Sequence, residues 1–154
     1  FGFESLSENN LALVSEWKKN QLKKYPEMIR KIQSYGIGAF GSFVVGLDND
    51  DTSVFDTIRR FVIENNLFGT SFTILTPFPG TRLFSRLESE NRILHRCWDQ
   101  YTCFDVVYKP KLMSIEELNE GFKWLYQEVY SSQVTSRRIR HFANILSGIR
   151  GNTK

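Results

Sequence analysis

Cysteine is scarce in this sequence, where only Cys97 and Cys103 occur among 154 residues. Two thiols cannot form the framework of a disulfide-rich secreted domain, so we expect a reducing compartment and a cytoplasmic location. Five residues separate the two cysteines, which matches no common zinc or iron–sulfur spacing, and His95 and His141 are isolated from any ligand pattern. The sequence therefore predicts no metal site built from this chain alone.

Long hydrophobic runs are also lacking. No apolar stretch approaches the ~20 residues that cross a bilayer, so no transmembrane segment is predicted. The chain opens on FGFES, without an initiator methionine and with the composition of a buried strand, and we therefore expect it to be part of a larger protein. Thirteen phenylalanines and a hydrophobic content of 41% indicate a packed core.

Acidic residues are absent after Glu128, whereas five Lys or Arg occur from Arg137 onward. Such a basic helix suits nucleic acid, phosphate or an acidic protein surface. This leaves an alternative function open, that of a non-catalytic interaction module that binds RNA or a protein partner. A solvated face of a terminal helix explains the same charge, and nucleic acid is not the partner we expect.

Strands and helices alternate in the first part of the chain. Strands are predicted at residues 1–5, 37–45 and 69–77, with helical segments between them, and this order favours right-handed βαβ crossovers and a parallel sheet. The uninterrupted apolar run Phe43–Val45 predicts a strand that is buried on both faces.

A different pattern begins after residue 92. The stretch CFDVVYKPK predicts one further strand or an extended segment, and Ser114 with Glu117 forms the capping-box signature of a long helix. A last helix is predicted at about Thr135 to Ile149. Its apolar residues are expected to face inward: Ile139, Phe142, Ile145, Leu146 and Ile149.

Polar and turn-forming residues follow each predicted strand. If the strands are parallel, these residues meet at the edge of the sheet where α/β proteins bind ligands. We predict the following candidate binding residues: Glu4, Ser5, Gly46, Asp48, Thr76 and Pro77. For the acids, capping of the next helix or an ordinary acidic turn is the alternative interpretation. No catalytic residue is assigned, because no acid–base pair, Ser/His/Asp set or phosphate-binding glycine loop can be assembled.

Several ordered stretches resemble the C-terminal half of radical SAM proteins, and in particular the subgroup with an N-terminal cobalamin-binding domain. They are FGFES, GIGAFGSFVVGLDND, FTILTPFPGTRLF, and WDQY with VVYKPKLMSIEEL, and the resemblance extends from Phe1 to about Arg140. It implies an α/β fold in which residues 1–92 form a parallel half-barrel, the last three strands of a partial, TIM-like βα barrel. Residues 93–154 would form an extended segment and a two-helix C-terminal appendage.

The resemblance also implies S-adenosylmethionine as a cofactor. Glu4 and Ser5 match the position of the polar groups that contact its ribose or methionyl part, and the stretch that ends at Gly46 matches the motif that supports the adenine. The turn from Thr76 to Thr81 would border adenosine and substrate. The match departs from the family pattern where Ser42 replaces the first glycine of the adenine motif. Asn49 likewise replaces its closing glutamate.

The family's cluster-binding C-x3-C-x2-C motif is absent from this chain. A four-iron–four-sulfur cluster and cobalamin are therefore expected in the parent protein only. The parent would cleave S-adenosylmethionine to a 5′-deoxyadenosyl radical or move a methyl group through cobalamin, acting on an unactivated carbon of an unidentified small-molecule or lipid-like substrate. The fragment alone should be inactive, because its partner is the missing N-terminal half of the barrel.

The missing half also predicts an open barrel face in the isolated chain. Candidates for that face, or for the one beneath the helices, are Phe1, Phe3, Phe43, Val45, Phe72 and Ile74. Each Å² of apolar surface that stays exposed to water loses roughly 25 cal/mol of the free energy that burial would contribute. We therefore expect the chain either to self-associate through this face or to cover it with the helices after Met113.

Overall fold

The computed structural model describes residues 1–14 and 16–151. Three strands form one sheet, β1 (Gly2–Glu4), β2 (Phe40–Val45) and β3 (Gly69–Ile74), in the order β1–β2–β3 with both pairs parallel. The α-helices of the described ranges are α1 (Glu8–Val14), α2 (Glu16–Gln21), α3 (Tyr25–Ser34), α4 (Ser53–Glu64), α5 (Arg82–Ser89), α6 (Ile115–Val129) and α7 (Ser132–Gly151). The α/β class and the parallel sheet are confirmed.

Local capping chemistry explains where several helices begin. The Thr81 hydroxyl accepts a hydrogen bond from the Phe84 N–H at the start of α5. At the start of α6, the Ser114 hydroxyl accepts from the Glu117 N–H at 3.1 Å and the Glu117 carboxylate accepts from the Ser114 N–H at 2.7 Å. The predicted capping box is thus confirmed, and it fixes the entry into the longest well-packed helix.

The predicted extended segment after residue 102 does not pair as a strand. Its contacts with the preceding chain are an isolated antiparallel bridge between Ile93 and Tyr108 and separate backbone hydrogen bonds, such as that from the Leu94 N–H to the Val107 carbonyl at 3.0 Å. The strand predicted at 37–45 begins only at Phe40, because residues 37–39 connect the turn after α3 to the sheet without strand pairing. This second difference lies at an element boundary, where tertiary packing decides what propensity leaves open.

One face of the sheet carries a row of phenylalanines beneath the helices. The rings of Phe3 and Phe43 stack with centroids 5.3 Å apart, and Phe43 and Phe72 lie 6.0 Å apart. Phe61 of α4 meets the edge of this row, with its ring centroid 5.4 Å from that of Phe3. On the side of α6, the Tyr126 ring lies 5.1 Å from that of Phe72. Each such pair contributes about 0.5–1.5 kcal/mol beyond its buried area, so this row anchors the core.

The opposite face of the sheet is not covered in the same way. Burial alternates along β2 and β3, and Ser42, Val44, Ser71 and Thr73 are only partly buried. The prediction that β2 is buried on both faces is therefore wrong within this chain. The apolar candidates from Phe3 to Ile74 lie beneath the helices, and the uncovered face is largely polar. The Phe1 ring lies 6.0 Å from that of Phe3 at the margin of the covered face, and Phe1 is 55% exposed.

Tyr126 of α6 and Tyr130, the residue that follows α6, close the outer edge of β3. The Tyr130 hydroxyl accepts from the Thr70 N–H at 3.1 Å and donates to the Thr70 carbonyl, and the Tyr126 hydroxyl does the same for Phe72 at 3.4 and 3.1 Å. Further along, the Ile74 N–H donates to the Cys103 carbonyl at 2.8 Å. An exposed strand edge is a template for unwanted pairing, and these contacts satisfy its backbone groups.

The helix α6 packs into the same core as the sheet. Leu118, Phe122, Leu125 and Val129 are buried together with the residues of the strands. At Gly121, the Phe55 ring of α4 occupies the space that a Cβ would need. The division of the chain into residues 1–92 and 93–154 remains a prediction, although one hydrophobic core crosses that boundary.

The helix α7 contacts the rest of the chain along a narrow strip. Phe142 is buried and meets the Phe68 ring edge-on at 5.1 Å. The expectation that Ile139, Leu146 and Ile149 face inward is wrong, since these side chains are exposed. The helix crosses the end of the sheet at a few points only, which leaves part of its apolar face outside the core. None of the helices in the described ranges is long and apolar enough to span a membrane.

Candidate functional site

The carboxyl ends of all three strands lie at one edge of the sheet. In the parallel register, Phe43 pairs with Phe72 and Val45 pairs with Ile74, and β1 ends at Glu4 beside Phe43. The predicted meeting of the strand ends at one edge is thus confirmed. Whether these residues contact a ligand stays a prediction.

Glu4 ends β1 in an unusual backbone conformation. Its φ is +63°, in the left-handed region, and the register of β1 against β2 shifts between Gly2 and Glu4. A Cβ on Gly2 would lie 2.6 Å from Oε1 of Glu4, so the carboxylate lies over Gly2. Non-glycine residues in this region cost roughly 1–2 kcal/mol, and such outliers cluster at functional sites. The backbone therefore holds this carboxylate on the uncovered face.

Two serine hydroxyls continue this line across the sheet. Ser42 pairs with Gly2 on one side and with Ser71 on the other, and the Oγ atoms of the two serines are 2.9 Å apart. Since the Glu4 carboxylate lies over Gly2, which pairs with Ser42, the carboxylate and the two hydroxyls follow one another across neighbouring strands. We call Glu4, Ser42 and Ser71 the polar row.

The polar row combines one acceptor-only group with two groups that both donate and accept. A carboxylate accepts hydrogen bonds from an ammonium or a hydroxyl, and each serine can complement a carboxylate or a sugar hydroxyl. The row is bounded along β2 by Phe40, whose ring lies against Gly69. This arrangement suits a small polar ligand with a cationic group.

Ser5 and Thr76 satisfy the backbone close to the strand ends. The buried Ser5 hydroxyl accepts from the Ser7 N–H at 3.0 Å and so shapes the turn into α1. The Thr76 hydroxyl donates to the Ile74 carbonyl at 3.0 Å, and Pro77 is buried behind it. These contacts give both hydroxyls a structural role, and their predicted role in cofactor binding is untested.

Gly46 turns the chain away from the sheet. Its φ is +87°, its carbonyl accepts a hydrogen bond from the Tyr108 hydroxyl, and a Cβ would overlap that hydroxyl and approach Leu118 at 3.0 Å. Burial raises the pKa of Tyr108, which keeps the hydroxyl a donor. Glycine is thus required by the turn and by packing, and its predicted contact with adenine stays a prediction.

Asp48 is held by three cations. Its carboxylate accepts from Arg86 and from Arg92 at 2.9 Å, and Nζ of Lys111 lies 3.5 Å away. Burial alone would raise the pKa of Asp48, but the hydrogen bonds from Arg86 and Arg92 hold it below its ordinary value. The cluster ties the loop after β2 to α5 and to the segment before α6. As a predicted cofactor contact Asp48 is untested, and in this structure its carboxylate is already occupied.

The Asp50 carboxylate stabilises the same loop through hydrogen bonds. It accepts from the N–H groups of Gly46 at 3.1 Å and Leu47 at 3.0 Å, and from the side-chain amide of Asn10 at 2.6 Å. The Asn10 oxygen in turn accepts from the backbone and side chain of Asn49. Burial raises the pKa of Asp50 to about 6 from its ordinary 3.8.

Asp50 should make the stability of the chain depend on pH. A carboxyl whose pKa is raised in the folded state favours folding when protonated, so the free energy of unfolding should fall by about 1–3 kcal/mol as pH rises from 4 to 6. Urea unfolding across this range measures the slope. Asp50→Asn should flatten it, whereas Asp51→Asn should not, because the hydrogen bonds from Ser53 lower the pKa of that exposed carboxyl and its own contribution has the opposite sign. An unchanged slope in Asp50→Asn would contradict this assignment.

The side chains that the structure describes do not form a metal centre. No group of three or more His, Cys, Asp or Glu residues among them is placed to hold an ion. Cys97 is exposed and Cys103 is half-buried, and both are free thiols. An iron–sulfur cluster does not fit the residues that the described part of the chain supplies.

The polar row was only partly predicted from the sequence. Glu4 was a candidate, but Ser42 was noted merely as a departure from a glycine motif and Ser71 was missed. Side chains alternate between the two faces of a strand, so the positions of Ser42 and Ser71 next to the buried Phe43 and Phe72 place both serines on the opposite face. Finding the pair required the register between the strands.

Residues 81–154 match a family model described as a domain of unknown function, DUF4070. The chain is 32% identical to bacteriochlorophyllide d C-12(1)-methyltransferase of Chlorobaculum tepidum, over 90% of this chain and 30% of that protein. Its identity to bacteriochlorophyllide d C-8(2)-methyltransferase of the same organism is 27%, over 84% of this chain and 29% of that protein. For the hopanoid C-2 methylase of Rhodopseudomonas palustris, the identity is 29% over 49% of this chain and 14% of that protein.

All three names denote methyl transfer. The chain spans about three tenths of the length of the two bacteriochlorophyllide methyltransferases and a smaller share of the hopanoid methylase. The chain is thus similar to a limited part of each of these larger enzymes.

Proposed function

We propose that this chain forms the C-terminal strands of a radical SAM barrel in a larger, cytoplasmic enzyme that modifies or methylates an unactivated carbon. The observation that carries the proposal is the polar row on the uncovered face of a parallel sheet, next to the edge where the strands end. The methyl-transfer names of the relatives support the reaction class. We further propose that the enzyme belongs to the cobalamin-dependent subgroup.

The residues of the polar row fit S-adenosylmethionine. The Glu4 carboxylate would accept hydrogen bonds from its ammonium group, and the Ser42 and Ser71 hydroxyls would complement its carboxylate or ribose. Bound here, S-adenosylmethionine supplies a transferable methyl group or, once reductively cleaved, the capacity to abstract hydrogen. Because the described side chains do not fit a cluster, the iron–sulfur cluster and cobalamin would be held by other parts of the enzyme.

The remaining contacts of the site serve to fix its geometry. Asp50 holds the loop after β2 through three hydrogen bonds, and Asp48 attaches that loop to the C-terminal region through Arg92. A preorganised wall costs less reorganisation when a ligand binds. The role of this chain is therefore to orient the cofactor and to form one side of the substrate pocket.

The full-length protein provides the direct test. Purified anaerobically and supplied with S-adenosylmethionine and a low-potential reductant, it should release 5′-deoxyadenosine or S-adenosylhomocysteine, which chromatography with mass detection resolves. The present chain, reconstituted with iron and sulfide under the same conditions, should bind no iron and release neither product. A full-length protein that forms neither product, or a chain that assembles a cluster and releases 5′-deoxyadenosine, would overturn the proposal.

A further inference from the structure

An exposed apolar surface lies at the end of the sheet opposite to the carboxyl ends of the strands, where the candidate binding residues are. Its members, each between 38% and 70% exposed, are Tyr35, Ile37, Phe68, Ile139, Leu146 and Ile149. We call these residues the α7 patch. Scattered apolar residues are normal on protein surfaces, whereas contiguous ones mark an interaction site.

The contacts of α7 show that the patch is contiguous. A Cβ on Gly36, which lies between Tyr35 and Ile37, would be 2.9 Å from Cδ1 of Ile149 and 3.4 Å from Cδ2 of Leu146. Phe68 joins it from the start of β3, because its ring packs on Phe142 of α7. Ile139 is seven residues before Leu146, and this spacing places both on one face of the helix.

The exposed charges of α7 close to Ile139 have one sign. Arg140 is exposed about 100° around the helix from Ile139, Arg137 is exposed on the opposite face, and the sequence after Glu128 contains no acid. Arg138, by contrast, is buried, donates to the Val129 carbonyl at 3.3 Å and lies over the Tyr130 ring. The exposed surface of α7 therefore carries aliphatic side chains on one face and arginines beside and opposite them, the division that interfacial helices show.

We propose that the α7 patch docks on an anionic lipid surface. Exposed isoleucine and leucine side chains gain free energy by entering the acyl boundary, and the flanking arginines are attracted to lipid phosphates. Nucleic acid offers no apolar layer for Ile139 and Leu146. The tyrosine and phenylalanine of the patch match the aromatic residues that favour membrane interfaces. This surface is separate from the polar row and does not depend on the proposed reaction.

Vesicle sedimentation of the full-length protein tests the proposal. The protein should sediment with phosphatidylcholine vesicles that contain phosphatidylglycerol and remain in solution with phosphatidylcholine alone. Ile139→Glu with Leu146→Glu should weaken binding about tenfold or more, because two apolar side chains lose their burial. Arg137→Gln with Arg140→Gln should weaken it by about tenfold and reduce its dependence on salt.

Leu112→Glu serves as the matched control, since Leu112 is 57% exposed and lies outside the patch. It should bind vesicles as the wild type does, and circular dichroism should show all variants folded, because the changed residues are exposed. Absence of binding to anionic vesicles would overturn the proposal, as would equal binding by the Ile139→Glu/Leu146→Glu variant. A protein that ignores lipid but loses an oligomeric state in that variant would instead identify the patch as a protein interface.

Discussion

Replacing Glu4 by glutamine in the full-length protein should weaken S-adenosylmethionine binding by about 10- to 100-fold. The amide keeps the shape of the side chain but removes the charge that complements an ammonium, and hydrogen bonds to charged groups contribute about 1.5–3 kcal/mol. The left-handed backbone at Glu4 should persist, since it does not depend on the charge. Calorimetric titration with S-adenosylmethionine measures the affinity directly, without requiring turnover.

The serines of the polar row should show smaller effects. Ser42→Ala and Ser71→Ala each remove one neutral hydrogen bond, so each should cost about 3- to 10-fold in affinity. Ser89→Ala removes an exposed hydroxyl on α5, which donates to the Arg86 carbonyl, and should leave the affinity unchanged. If Glu4→Gln and both serine variants bound the cofactor as tightly as the wild type, the polar row would not be its binding site.

Replacing Gly46 by alanine should destabilise the fold by about 2–6 kcal/mol. An alanine at a φ of +87° is strained, and its Cβ would overlap the buried Tyr108 hydroxyl and crowd Leu118. Backbone strain and overpacking each cost about 1–3 kcal/mol. Since domains are stable by only about 5–15 kcal/mol, this single methyl group should remove a large part of the folding free energy. Urea unfolding followed by circular dichroism measures the loss.

A second glycine separates the two causes. Gly80 has a similar φ of +81°, but nothing lies within 4 Å of a Cβ placed there. Gly80→Ala should therefore show the backbone cost alone, and the difference from Gly46→Ala should report the packing. Tyr108→Phe removes the overlapping hydroxyl, so its effect should be less than additive with Gly46→Ala. Equal losses at both glycines would show that Tyr108 and Leu118 adapt without cost.

The sequence was sufficient to predict the elements whose causes are local. The capping box at Ser114 and Glu117 depends on residues three positions apart, and it appears in the structure as expected. Alternating strands and helices predicted a parallel sheet, because crossover connections leave few other topologies. The strand ends could therefore be placed at one edge without any knowledge of packing.

The features that the sequence did not predict depend on contacts between residues that are far apart in the chain. A short apolar run such as Phe43–Val45 is compatible with burial of one face or of both, and only the position of the helices decides. Ser42 and Ser71 become a pair through the register of β2 and β3. For Ile139 and Leu146, helical periodicity predicts a shared face correctly, but it does not reveal whether a neighbour covers that face.

The contacts of the Tyr126 and Tyr130 hydroxyls with β3 form only after the later part of the chain has been synthesised. β3 emerges from the ribosome well before residues 115–130, and until α6 docks, the outward backbone groups of Thr70 and Phe72 have no partner from that helix. Nascent chains on one polysome could pair along this strand during that interval. Once α6 has packed, a strand from another chain must displace the Tyr126 and Tyr130 hydroxyls before it can form main-chain hydrogen bonds with Thr70 and Phe72. Sheet extension at β3 is thereby blocked late, by side chains translated about fifty residues after the strand they protect.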